Sequence, residues 1–70
     1  MPLVFAPLNQ TLTIKKVLVD EKSKRHLESL GLVSGGEIIV VSVNGGNVIC
    51  IVKGVRLALN RDIATKILVA

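Results

Sequence analysis

The sequence predicts a mainly β protein: a small, partly open barrel of about five strands, with one short helix after the first strand and a helical turn before the last. Three observations carry that expectation. Residues 37–43 read Glu-Ile-Ile-Val-Val-Ser-Val, and branched side chains pack well on a pleated sheet while losing rotamer freedom in a helix. Asn44-Gly45-Gly46-Asn47 and Lys53-Gly54 then separate this run from two more, Val48–Val52 and Val55–Leu59, as tight hairpin turns do. Pairing across the first turn puts Ile39, Val41, Val43, Val48, Cys50 and Val52 on one face, and Ile38, Val40, Ser42, Ile49 and Ile51 on the other. A ribbon apolar on both faces is unstable in water, so the sheet must curl, with the helix, the N-terminal arm or a partner covering part of its outside.

Taken in order, residues 1–10 contain both prolines of the chain and read as an irregular arm lying across the sheet rather than pairing within it. Leu3, Val4 and Phe5 are its candidates for burial. Leu12–Val17 alternates at its start, with Leu12 and Ile14 on one face and Thr13 and Lys15 on the other, and is the first strand. Asp20 can cap the free amides of a helix that starts at residue 21 or 23 and ends at Leu30, docked through Leu27 and Leu30. Gly31 is the first residue past that helix, where a left-handed backbone is wanted, and Leu27 and Leu32 make the apolar contact that accompanies such a cap. Gly35-Gly36 is a second break, from which Glu37 launches the long strand.

In the next turn, whether the loop is Asn-Gly or Gly-Gly, both central positions can take positive φ, at Gly45 or Gly46; Gly54 serves the following turn. Val55, Leu57 and Leu59 share one side of the strand that follows, with Arg56 and Ala58 on the other. Residues 61–67 make one helical turn, and Ile67-Leu-Val-Ala closes the sheet. No repeat, low-complexity tract or linker divides residues 1–70, so they form a single domain. The element order describes a partly open barrel of the SH3-like kind. An OB-type barrel usually places its helix between the third and fourth strands.

Composition narrows the function classes. Half the residues are apolar, yet there is one Phe and neither Trp nor Tyr, so the core is aliphatic. A chain of this length buries only about 60% of the surface its unfolded form exposes. The net charge of +4 and pI near 9.7 favour an acidic or anionic partner. One cysteine allows no internal disulfide and no structural zinc site, pointing to a reducing, cytoplasmic setting. No signal peptide and no membrane-spanning run is present in the sequence, so direct membrane insertion is not expected.

An enzyme would need a nucleophile beside a base, paired carboxylates or a metal cluster. His26 lies on a basic helix face with Lys24 and Arg25 and reads as solvated; Cys50 alternates within an apolar strand and reads as a small buried hydrophobe. Asp20, Glu21, Glu28, Glu37 and Asp62 are scattered singly. Gly35-Gly36 precedes a strand rather than a helix and lacks the Lys-Ser/Thr of a phosphate loop. No catalytic, metal-binding or cofactor-binding residue is assigned, and the chain reads as a non-enzyme. Lys15, Lys16, Lys22, Lys24 and Arg25 could meet phosphates as a small nucleic-acid-binding barrel does, but Phe5 alone offers a stacking platform, so nucleic acid is not the favoured partner. A protein-interaction module, or a self-associating subunit that hides spare sheet surface in a homo-oligomer, remains.

At Arg25-His-Leu-Glu-Ser-Leu-Gly-Leu-Val-Ser-Gly-Gly-Glu-Ile the chain resembles the FeoA family, small accessory proteins of bacterial ferrous iron uptake. Lys53-Gly-Val-Arg-Leu-Ala-Leu-Asn, followed by Ile63-Ala64 and Ile67, resembles that family's second hallmark, and together the likeness spans residues 8–69. Ser34 stands where the family commonly has Pro, and Asn60 where Arg is frequent. The resemblance implies an SH3-like barrel that associates with the cytosolic part of FeoB, the GTP-binding membrane transporter, and regulates ferrous iron uptake. The protein would then be cytoplasmic, peripheral at the inner face of the membrane through that partner. Contact residues expected on this basis are Lys24, Arg25 and His26 on the helix and Leu32, Val33 and Ser34 in the turn, beside the structural glycines Gly31, Gly35, Gly36, Gly45, Gly46 and Gly54.

Overall fold

A computed structural model describes residues 1–70. A 3-10 turn at Leu3–Phe5 precedes β1 (Thr11–Val17), α1 (Glu21–Ser29), β2 (Glu37–Asn44), β3 (Asn47–Val52), β4 (Val55–Asn60), α2 (Arg61–Thr65) and β5 (Ile67–Val69). The sheet runs β4-β3-β2-β1-β5, every neighbour antiparallel. The five strands and two helical pieces follow the order expected from the sequence.

β1 joins β5 to the β2–β3–β4 meander. Its Thr11–Thr13 half pairs with β2, and its Ile14–Val17 half pairs with β5 across a register shift between Ile14 and Lys16. That shift bends the strand so that β2 and β5 lie against successive halves of it, which curls the sheet around its own apolar side. Fifteen buried side chains form one aliphatic core, with Ile14, Leu32, Val40, Cys50 and Ile67 fully enclosed.

The faces of β2 differ from the sequence expectation. Near the turn the register is the expected one, with Val43 opposite Val48 and Asn44 opposite Asn47. Between Val40 and Ser42 the register then shifts, so Val40, not Val41, lies opposite Cys50. Because side chains alternate, one extra residue at a bulge exchanges the faces of everything beyond it. Ile38 and Val40 therefore join Val48, Cys50 and Val52 in the core, while Ile39 and Val41 turn outward with Ile49 and Ile51 and stay half-buried. Val43, expected inside, is half exposed.

The N-terminal arm is also more tied down than an irregular segment. Pro2 bridges Leu68 antiparallel to β5, and the Met1 carbonyl accepts from the Val69 amide at 2.8 Å. Proline suits this edge position because its missing N–H is not called on by the bridge. The arm then crosses to β2, where the Asn9 amide donates to the Val40 carbonyl at 2.7 Å. Of the three candidates for burial, Leu3 is fully buried and Val4 half-buried, whereas Phe5 is 70% exposed. In the β2–β3 turn Gly45 has φ +62° and Gly46 is not left-handed, so one of the two glycines meets the backbone requirement. Lys53, at φ +52°, and Gly54, at φ +77°, make the tighter turn.

Candidate functional site

α1 rests on the barrel through one buried residue, Leu27. Its start is fixed by Asp20, whose carboxylate accepts from the Ser23 amide at 3.3 Å; hydrogen bonding from Ser23, the side chain first, holds the Asp20 carboxyl below its ordinary value. Its end is fixed by two backbone bonds. The Gly31 amide donates to the Glu28 carbonyl and the Leu32 amide to the Leu27 carbonyl, both at 3.0 Å, with Gly31 at φ +96°. These are the paired bonds of a Schellman cap, and Leu27 and Leu32 are both buried in the core, as its apolar contact requires. The turn that follows is pinned to β1: the Gly35 amide donates to the Ile14 carbonyl at 2.7 Å, and the Ile14 amide to the Gly36 carbonyl at 2.8 Å.

This cap corrects one expected contact residue. Leu32 is 0% exposed, because the residue after the left-handed glycine is directed back onto the helix, so it anchors the turn and offers no outward surface. Lys24 and Val33 are half-buried, and Arg25, His26 and Ser34 are exposed. Leu30, expected to dock inward, is the cap residue of α1 and is 36% exposed.

A groove of about 380 Å³ opens between α1 and the end of β4. Lys22, Ser23, His26, Leu27 and Leu30 line it from α1; Ala58, Leu59 and Asn60 line it from β4, and Ile63 from α2. Of the six contact residues expected from the family resemblance, His26 alone lines this groove, joined by Lys22 from the candidate phosphate-binding set; Lys24, Arg25, Val33 and Ser34 lie outside it. Its charged or titratable lining is Lys22 and His26, with no carboxylate. The β4 wall is held by the α2 cap, where the Asn60 carbonyl oxygen of the side chain accepts from the Ile63 amide at 2.9 Å. Sequence reasoning missed Ala58, Leu59, Asn60 and Ile63 as groove residues and turned Leu30 inward. The missed residues lie on elements far apart in the chain from α1, and no local sequence signal brings them together. Of the other basic residues, Lys15 and Lys16 are exposed on β1, away from this groove.

No group of three or more His, Cys, Asp or Glu side chains converges as a metal site would require. Cys50 is fully buried, and desolvation pushes its thiol up from 9.0 to about 11. A thiol whose native value is raised is retained as the neutral form while the unfolded chain ionises, so native stability contributed by this group is full below pH 9 and is lost progressively between about 9 and 11. Thermal unfolding between those pH values should therefore fall more steeply for the native sequence than for Cys50→Ala, and the native thiol should resist alkylation at pH 8 until the chain opens. Equal slopes, or rapid alkylation without unfolding, would contradict the burial of Cys50.

The family model of the FeoA domain matches residues 1–70. A Methanocaldococcus jannaschii protein named as an Fe(2+) transport protein A is 32% identical over 68 residues, covering 97% of this chain and 83% of that one. Among solved structures, an iron uptake regulatory protein, FeoA, superposes with a TM-score of 0.88 at 26% identity, over 99% of this chain and 93% of that one. Iron(II) transport protein A from Clostridium thermocellum superposes with a TM-score of 0.90 at 27% identity, over 99% of this chain and 44% of that one. The FeoA protein of Chlorobium tepidum gives 0.90 at 25% identity, over 99% and 68%.

Proposed function

The chain belongs to the FeoA family, an accessory family of ferrous iron transport, and from that premise we propose that it is a non-enzymatic accessory protein that binds the cytosolic part of a FeoB-type transporter and regulates it. The observation that carries this reading is the groove between α1 and β4: an open apolar cleft with a basic rim, on a barrel whose core is otherwise closed. Such a cleft suits a protein segment, with Lys22 and His26 steering an acidic partner and Leu27, Leu30, Leu59 and Ile63 receiving its apolar side chains. No helix is long and apolar enough to cross a membrane, so on this reading the chain reaches the membrane through its partner. Arg25, exposed on α1, half-buried Lys24 beside it, and Val33 and Ser34 in the turn extend the contact surface.

The test is a titration of the isotope-labelled chain with the soluble GTP-binding part of the transporter from the same organism, at two salt concentrations and with each nucleotide. Amide shifts are expected on residues 22–34 and 58–63, with an affinity that falls only modestly as salt rises, because apolar contact dominates. Shifts confined to Lys15, Lys16 and the basic face of α1, abolished by salt, or no shifts at high concentration, would overturn the proposal.

A further inference from the structure

The groove runs along an unpaired strand edge. Successive side chains of a strand point to opposite faces, so a cleft lined by Ala58, Leu59 and Asn60 together must lie at the margin of β4. One margin of β4 pairs with β3, and β4 is the last strand of the sheet order. The other margin is therefore the one that α1 faces across the groove.

The hydrogen-bonding groups on that margin follow from the register. The two-residue turn Lys53-Gly54 makes Val52 and Val55 the closing bonded pair, and alternation makes Cys50 with Leu57 and Val48 with Leu59 the next bonded pairs. Arg56 and Ala58, between them, turn both their N–H and C=O away from β3, as Asn60 does its amide. None of the backbone bonds made outside the strands and helices reaches these groups, and Arg56 and Ala58 are exposed.

We propose that the β4 margin and α1 together form a receptor for an extended peptide segment, acidic and apolar by turns, which adds to the sheet as a sixth strand. The peptide backbone bonds Arg56, Ala58 and Asn60, and one apolar side chain enters between Leu27, Leu30, Leu59 and Ile63. Its acidic neighbours meet Lys22, His26 and Arg56. Charge selects this occupant over a second copy of the chain, because pairing two β4 margins brings the same cations of both copies together on a protein of net charge +4. This inference rests on the docking role proposed above and specifies the form of the docked segment.

The experiment appends Glu-Val-Glu-Leu-Glu-Val to the full chain through a Gly/Ser linker of about twenty residues, whose r.m.s. reach of roughly 25 Å suits a protein of 28 Å longest dimension. Tethering holds the probe at millimolar effective concentration, so weak pairing registers. Amide exchange at Arg56, Ala58 and Asn60 is expected to slow at least tenfold, with exchange at Leu57 and Leu59 unchanged. The same probe with Pro for Val, which cannot donate, is expected to abolish the protection, and one with Lys for Glu to reduce it severalfold. Unchanged exchange at those three amides overturns the proposal, as does equal protection by the lysine probe. A molecular mass that rises with concentration in the untethered chain, with the same three amides protected, assigns the margin to a second copy and also overturns it. The probe contains no transporter sequence, so the two readings fail separately: peptide protection without transporter binding removes the partner, and transporter binding away from residues 56–60 removes the receptor.

Discussion

Gly31→Val is expected to lower the unfolding free energy by about 2–5 kcal/mol, combining a left-handed non-glycine residue with an overpacked neighbour. Gly31 has φ +96°, and a Cβ there would stand 3.0 Å from Val52 Cγ1 and 3.4 Å from Lys53 Cδ. The lysine tip can move away. Val52, 1% exposed in the core, cannot. For a domain of this size the whole stability is about 4–10 kcal/mol, so the loss should lower the melting temperature by at least 10 °C in a circular dichroism scan. Gly35→Ala separates the two causes, because Gly35 has φ +88° but nothing within 4 Å of a Cβ. It should show the backbone strain alone, about 1–3 kcal/mol. A Gly31→Val melting temperature within a degree or two of the native one would mean that the cap does not fix α1.

Leu3→Ala is expected to cost about 2–5 kcal/mol, comparable with the removal of any central core side chain. Leu3 is 0% exposed and belongs to the same core cluster as Ile14 and Ile67. Phe5, two residues on and 70% exposed, provides the contrast: Phe5→Ala should change stability by no more than about 0.5 kcal/mol. Denaturant titrations of the two variants compare the sites directly. Similar midpoints for both would mean that the arm is not part of the core.

Those two variants also mark what the sequence could and could not convey. The end of α1 was legible because its determinants are adjacent: a leucine, a glycine three to four residues later and another leucine specify a Schellman cap with no reference to the rest of the chain. The same logic already implied that Leu32 is inside, and its inclusion among exposed contact residues conflicted with the cap that Leu27 and Leu32 form. The bulge near Val41 was not legible, because Ile39 and Val41 are as apolar as Ile38 and Val40, and a period-two pattern apolar at every position has no phase. Which of Leu3, Val4 and Phe5 goes inside depends on β5, at the far end of the chain, and no local signal distinguishes them. The groove was hidden for a related reason. Leu30, Ala58 and Ile63 look individually like core or surface residues, and become one wall and its opposite only when β4 lies beside α1.

The bridge between Pro2 and Leu68 also has a consequence for how the chain folds. Ring closure grows more costly by about 0.6 kcal/mol for each doubling of loop length. Joining these two positions instead of the ends of a four-residue hairpin is about four doublings, or roughly 2–3 kcal/mol that no local contact returns. Both hairpins lie within residues 37–60 and close locally, whereas Leu3 acquires its cover only when β5 joins the sheet. Until then a folding chain carries an apolar sheet open on one side. The length of that exposed interval is set by how quickly the two ends of the chain find each other, not by the hairpins.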